Sequence, residues 1–211
     1  MKKILCYGDS NTYGYIPGTG ERYTSKERWT GILQELLGDG FNVIEEGLNG
    51  RTTVLDDLED PFRNGAKYFE ECIKLHYPID LIIVMLGTND LKLRFNATSS
   101  EIANGAGTLV KIALNTTEKE SETNDSAEIL LVSPIHVAET MNEEEFGYIR
   151  SHKISKELAP KYEKISKSLG VEFMNAALIT EASEIDSLHL SKEGHKDLAK
   201  AFEKICREIL T

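Results

Sequence analysis

The segment Asp80-Leu81-Ile82-Ile83-Val84-Met85-Leu86 is apolar at every position after its aspartate. Such a run, rich in β-branched residues, is what a strand buried on both faces of a parallel sheet requires. It is also the longest purely apolar run in the chain, six residues from Leu81 to Leu86, far short of a membrane span. Shorter runs of the same kind recur at Ile4–Tyr7, Phe41–Ile44, Ile129–Val132 and Val171–Met174. With spacings of roughly forty residues and amphipathic segments between them, they predict strands alternating with helices.

The helical segments have readable ends. Arg28 to Leu37 places Trp29, Ile32, Leu33, Leu36 and Leu37 on one stripe and stops at Gly38. Asn64 to His76 is a weaker helix candidate. Ser99 or Ser100 is expected to cap a helix running through Ile102, Ala106, Leu109, Val110 and Ala113, followed by a solvated loop from Thr116 to Ser126. Ser151 to Leu169 forms another, with Pro160 as a kink or internal start and Gly170 as its stop. Ser191 is expected to cap a last helix through Leu198, Ala201, Phe202, Ile205 and Ile209. With neither a repeat nor a linker in 211 residues, the expected unit is a single domain over 1–211. Its fold class is α/β: a three-layer α/β/α sandwich on a five-stranded, mostly parallel, doubly wound (flavodoxin-like) sheet.

Composition narrows the partners. Lysine and arginine number 24 against 35 acidic residues, a net charge of −11, whereas nucleic acid and anionic membranes both select a basic face. Lys2 and Lys3 are followed only by Ile4 to Tyr7 before Gly8 and Asp9, too little for an export signal, so a cytoplasmic location is expected. There the N-x-S/T sequons at Asn96, Asn115 and Asn124 are chance matches, and Cys6, Cys72 and Cys206 are reduced thiols. Neither these cysteines nor His76, His136, His152 and His195 show metal-ligand spacing, so neither metal nor cofactor is expected.

In open sheets of this type, sites form beyond the carboxyl ends of the strands. The residues there are Gly8-Asp9-Ser10-Asn11, Gly47-Leu48-Asn49-Gly50-Arg51, Gly87-Thr88-Asn89-Asp90, Ser133-Pro134 and, after a loop, Asp186-Ser187-Leu188-His189. Ser10 by itself reads most simply as a helix N-cap. Asp186 and His189 share one face of a turn, where the carboxylate can accept the imidazole Nδ1–H, fix its tautomer and stabilise the imidazolium. An acyl-transfer site also needs donors for a developing oxyanion, and the Ser10 N–H, the Gly50 N–H and the Asn89 side chain are the candidates. Each has a commoner structural role, turn geometry for Gly50 and an Asx turn for Asn89. Asp9 and Asp90 flank the same region, where hydrogen bonding to loop backbone is the expected role. Tyr13 and Tyr15 either line a pocket or pack on the first turn.

Gly8-Asp9-Ser10, Gly50, Gly87-Thr88-Asn89-Asp90 and Asp186-x-x-His189 together resemble, in order and separation, the four signature blocks of the SGNH (GDSL) hydrolases. Arg28-Trp29-Thr30-Gly31, Glu45-Glu46-Gly47-Leu48, Arg51-Thr52-Thr53 and the stretch from Asp80 to Lys92 resemble that superfamily's arylesterase and acyltransferase branch. The resemblance implies a serine esterase with Ser10 as nucleophile, His189 as general base and then acid, and Asp186 orienting His189. It also implies an oxyanion hole of the Ser10 N–H, the Gly50 N–H and the Asn89 amide. The implied substrates are short-chain aryl, alkyl or acetylated-carbohydrate esters, with acyl transfer as a second outcome and either a monomer or a homo-oligomer as the assembly. Two features depart from the branch: Asn11 stands where the name-giving motif has leucine, and the segment from His136 to Lys156, with Glu143-Glu144-Glu145-Phe146, is unlike it. That segment follows the fourth strand at the site end, and a lid or rim is its expected role.

Two alternatives stand beside this one. A thioesterase or lysophospholipase would use the same chemistry. A non-catalytic α/β ligand-binding module with an anion cradle would carry G-x-G-x-x-G or a P-loop, and Gly8-Asp9-Ser10 is neither.

Overall fold

A computed structural model describes residues 1–122, 125–140 and 143–210; the Asn124 sequon and the start of the stretch from Asn142 to Gly147 lie outside the described residues. In chain order the elements are β1 (Lys2–Gly8), α1 (Ser10–Tyr13), α2 (Trp29–Leu37), β2 (Phe41–Gly47), α3 (Phe69–His76), β3 (Leu81–Met85), α4 (Ser99–Glu120), β4 (Glu128–Ser133), α5 (Glu143–Phe146), α6 (Tyr148–Leu169), β5 (Glu172–Asn175) and α7 (Lys192–Leu210). The sheet has the order β2-β1-β3-β4-β5, and every pairing is parallel. Because β1 is followed in sequence by a strand on one side and then by a strand on the other, the chain changes direction between β1 and β3. In sheets of this kind sites form at that switch.

Alternation along the strands divides the core into two layers. Leu5, Tyr7, Ile82, Val84, Ile129 and Leu131 face α3, α4 and α6, meeting Phe69, Ile73, Leu109 and Tyr162. Ile4, Cys6, Leu81, Ile83, Leu130 and Val132 face α2 and α7, meeting Trp29, Leu33, Leu198 and Phe202. The residues of β3 are buried whichever way they point, as the sequence pattern demands.

Four helix boundaries differ from the sequence expectation. The N-cap of α4 is Thr98 rather than Ser99 or Ser100, because Thr98 and Glu101 close a reciprocal capping box. The same helix runs on to Glu120 instead of ending near Ala113. Thr116 and Thr117 are buried, and the Thr117 hydroxyl donates to the Ala113 carbonyl and accepts the Ala127 N–H, so this polar-looking turn belongs to the interior. Conversely, residues 64–68 are a loop, held by the Asn64 side chain donating to Val54 O and by the Tyr7 hydroxyl donating to Gly65 O. The helix α6 starts at Tyr148 and continues through Pro160.

One contact between layers has a consequence for stability. The first turn of α2 has no cap from its own N-cap residue, and the Trp29 N–H is instead accepted by Nδ1 of His195 on α7, 3.2 Å away. Burial lowers the His195 pKa to about 3, and the Arg28 charge adds to the effect. Since the folded pKa lies below the unfolded one, His195 favours folding above about pH 6.5, and this contribution is lost as pH falls toward 3. We expect the His195 contribution to fall by about 2–3 kcal/mol between pH 7 and pH 4.5. Urea titrations of wild type and His195→Asn at both pH values measure it: the variant should be less stable at pH 7 but lose less on acidification.

Candidate active site

Residues at the carboxyl ends of β1, β2 and β3 converge because glycine lets the chain turn there. A Cβ on Gly8 would lie 2.0 Å from Thr12 Oγ1, and one on Gly47 would lie 2.2 Å from the Tyr13 N. Without side chains at either position, α1 lies directly across the strand ends. Asp9, not Ser10, is the N-cap of α1: its carboxylate accepts the Asn11 N–H at 2.9 Å. Ser10 is therefore free of the capping role and bonds elsewhere.

Its Oγ lies 2.9 Å from Nε2 of His189, and Nδ1 of that ring lies 2.7 Å from Asp186 Oδ2. The other oxygen of Asp186 accepts the backbone N–H groups of Leu188 and His189. Burial opposes ionisation of Asp186, but the bonds from the His189 ring and from these N–H groups outweigh it and hold its pKa below the ordinary carboxylate value. With Asp186 ionised, Nδ1 carries the proton and Nε2 presents a lone pair toward Ser10. The Tyr15 ring covers the imidazole at a centroid distance of 4.3 Å, so Tyr15 packs on His189.

The loop carrying Asp186 and His189 is fixed from both sides. Ser187, between them, has a φ of +60°, a left-handed conformation held by its N–H donating to Ser183 O and its carbonyl accepting the Ala138 N–H. The second restraint comes from Asn11. Its Oδ1 accepts the Leu190 N–H at 2.9 Å and its Nδ2 donates to Leu188 O at 3.4 Å. The residue that departs from the name-giving motif thus ties the helix bearing Ser10 to the loop bearing His189. Sequence reading missed this role because the partners lie 177 and 179 positions away.

The other two candidates sit on loops bound to each other. Asn89 donates through Nδ2 to the Arg51 carbonyl at 3.1 Å, and that amide nitrogen carries a second hydrogen. Asp90, fully buried, accepts the Thr53 N–H at 3.0 Å and also the Thr53 hydroxyl. Arg51 donates to the carbonyls of Gly8, at 2.9 Å, and of Glu46, with its guanidinium over the Tyr7 ring. Gly50 adopts a φ of +81°, and a Cβ there would lie 2.6 Å from Arg63 Nε. Asp9 and Asp90 have pKa values raised to about 6, chiefly by burial; hydrogen bonds work against the rise in both, and the Asp9 charge adds to it at Asp90.

The segment from His136 onward joins the two sides of this region. The Thr140 and Ser187 hydroxyls are 2.7 Å apart, while Glu145 on α5 pairs with Lys92 at 2.7 Å, three residues beyond Asn89. Phe146 is buried against the same segment.

A proton relay ending on a serine, with amide donors beside it, is the equipment of acyl transfer. Comparison with known proteins agrees. The GDSL-like lipase/acylhydrolase family matches residues 6–196. Est24, a carbohydrate acetylesterase from Sinorhizobium meliloti, superposes with a TM-score of 0.94 at 38% identity, over 99% of this chain and 100% of that one. The aryl esterase of M. smegmatis gives a TM-score of 0.93 at 36% identity, again over 99% and 100%. A second carbohydrate acetylesterase family member from S. meliloti gives 0.90 at 35% identity, over 100% and 99%. No curated relative matches the chain. The chain belongs to the GDSL-like lipase/acylhydrolase family, and it is a serine esterase.

Asn11→Leu, which restores the residue of the name-giving motif, removes both ties and leaves the buried Leu190 N–H unpaired. It should lower stability by about 1–3 kcal/mol and kcat by roughly tenfold through a looser His189. Denaturant titration and steady-state kinetics on an aryl acetate test this.

Proposed function

We propose that Ser10 is the nucleophile, His189 the general base and then acid, and Asp186 the group that orients it. The observation that carries this is the unbroken line of hydrogen bonds Asp186 Oδ2, His189 Nδ1, His189 Nε2, Ser10 Oγ, at 2.7 and 2.9 Å. His189 takes the Ser10 proton as Oγ attacks the ester carbonyl. The tetrahedral oxyanion is received by the Ser10 N–H, the Gly50 N–H and the second Asn89 amide hydrogen. His189 then returns the proton to the leaving alcohol, and water activated by the same imidazole releases the acid from Ser10.

The substrates we assign are short-chain esters of aromatic or simple alcohols and acetyl esters of carbohydrates, which fits the aryl esterase and carbohydrate acetylesterases that the chain resembles. An alcohol in place of water would give acyl transfer, measured as ester product when alcohol is added. Among the described residues no helix is long and apolar enough to cross a membrane.

Hydrolysis of p-nitrophenyl acetate by wild type and Ser10→Ala is the direct test. Turnover should be lost in the variant, and equal turnover by both proteins would refute the assignment. Asn89→Ala should lower kcat by roughly 10²–10³, as loss of one oxyanion donor does; an unchanged kcat removes it from that role.

We assign residues 136–140 and 143–147 to the rim of the acyl site, on the strength of their ties to the His189 loop and to the segment after Asn89. Because Phe146 is part of the core, point variants are a cleaner probe than deletion. Thr140→Val combined with Glu145→Ala should raise the butyrate-to-acetate and octanoate-to-acetate ratios of kcat/KM severalfold. Unchanged ratios would sink the rim role.

A further inference from the structure

Glu46, Cys72 and His76 meet away from Ser10 and His189, where α3 covers the edge strand β2. Cys72 and His76 are one helical turn apart on α3, which puts both side chains on the same face. Glu46 reaches them from β2, while its neighbour Glu45 bonds Arg28 and Thr30 on the α2 side of the sheet. The His76 Nε2 to Glu46 Oε1 distance is 2.7 Å, and one donor atom from each of the three residues lies within 4.8 Å of the others. All three residues are half-buried. The sequence reading found no ligand spacing around Cys72 or His76 because the third donor lies 26 and 30 positions earlier in the chain.

We propose that Glu46, Cys72 and His76 form a binding site for a divalent transition metal of the Zn²⁺ or Co²⁺ class. A thiolate with an imidazole selects these ions over Mg²⁺ and Ca²⁺, which demand oxygen ligands. Tetrahedral bonds of ~2.0–2.3 Å set ligand atoms roughly 3.3–3.7 Å apart, so the His76–Glu46 pair, at 2.7 Å, opens slightly to admit the ion. Three protein donors at a half-exposed position leave the fourth place to water. The bond that forms is metal to Cys72 Sγ, and the bond that breaks is S–H. The thiol proton goes to solvent, while the proton that Nε2 of a neutral His76 shares with Glu46 moves to Nδ1. Because the thiol must lose its proton to ligate, metal binding weakens as pH falls. The bound ion joins β2 to α3 and stabilises the folded state by mass action.

The probe is Co²⁺ added to the full chain at pH 8 under reducing conditions. The expected result is a near-ultraviolet thiolate-to-Co²⁺ charge-transfer band with visible bands of a four-coordinate ion, saturating at one ion per chain. The band should be lost in Cys72→Ser and weakened at least tenfold in apparent affinity in His76→Gln. Both variants should keep wild-type esterase turnover, which serves as the folding control. Zn²⁺ should displace Co²⁺ and raise Tm by about 5 °C at a hundredfold excess over its Kd. A second measurement needs no variant: Zn²⁺ should protect Cys72 from alkylation, mapped by peptide mass, while Cys6 and Cys206 are shielded by burial with or without metal. No band in wild type, full band intensity in Cys72→Ser, or alkylation of Cys72 unaffected by Zn²⁺ would overturn the proposal.

Discussion

The site rests on buried ionic and polar links between strand-end loops. Asp90 is fully buried and accepts the N–H and the hydroxyl of Thr53, on the loop after β2. Arg51 is held over Tyr7 while its guanidinium donates to carbonyls of β1 and β2, and its own carbonyl receives the Asn89 amide. A buried carboxylate or guanidinium left without partners costs several kcal/mol, so these bonds hold the loops after β2 and β3 to each other. Gly50 and Asn89 are carried on those loops, and the oxyanion role we propose for them calls for donors fixed in advance. Burial also keeps the pKa values of Asp9 and Asp90 near 6, the electrostatic strain of packing two carboxylates under the site.

The sheet explains why those loops are neighbours. Gly8 pairs in register with Gly47 on one side and with Met85 on the other, so three successive strands end level with one another. Ser10 emerges from the central one of the three, and His189 arrives from the opposite flank on the turn leading into α7. The switch in strand order between β1 and β3 converts chain segments remote in sequence into one crevice.

Much of this was legible in the residues. The apolar runs marked all five strands, most plainly β3, where burial on both faces leaves no alternative pattern, and less sharply the half-buried edge strands β2 and β5. The Asp186–His189 pair was legible because its geometry is local, set by three residues of one turn. What escaped depends on partners far along the chain. Asn11 looks inert until Leu188 and Leu190 are seen beside it. The turn at Thr116 and Thr117 looks like solvated loop until its hydroxyl is found capping residue 127. Residues 64–68 show a helical composition, yet Tyr7 and Val54 capture their polar groups first. Ser99 and Ser100 drew attention as caps, although Thr98 has the glutamate three residues on that completes the box.

The double tie made by Asn11 also bears on motion. Ser10 and Asn11 are consecutive residues of one short buried helix, and Asn11 grips the loop on both sides of His189. Ser10 and His189, the nucleophile and base we propose, are therefore linked through one short helix, although 179 positions of chain separate them. A displacement of the Asp186–His189 loop that keeps these bonds must carry the helix of Ser10 with it, so the distance from Ser10 Oγ to His189 Nε2 is set by the tie as well as by the two side chains themselves.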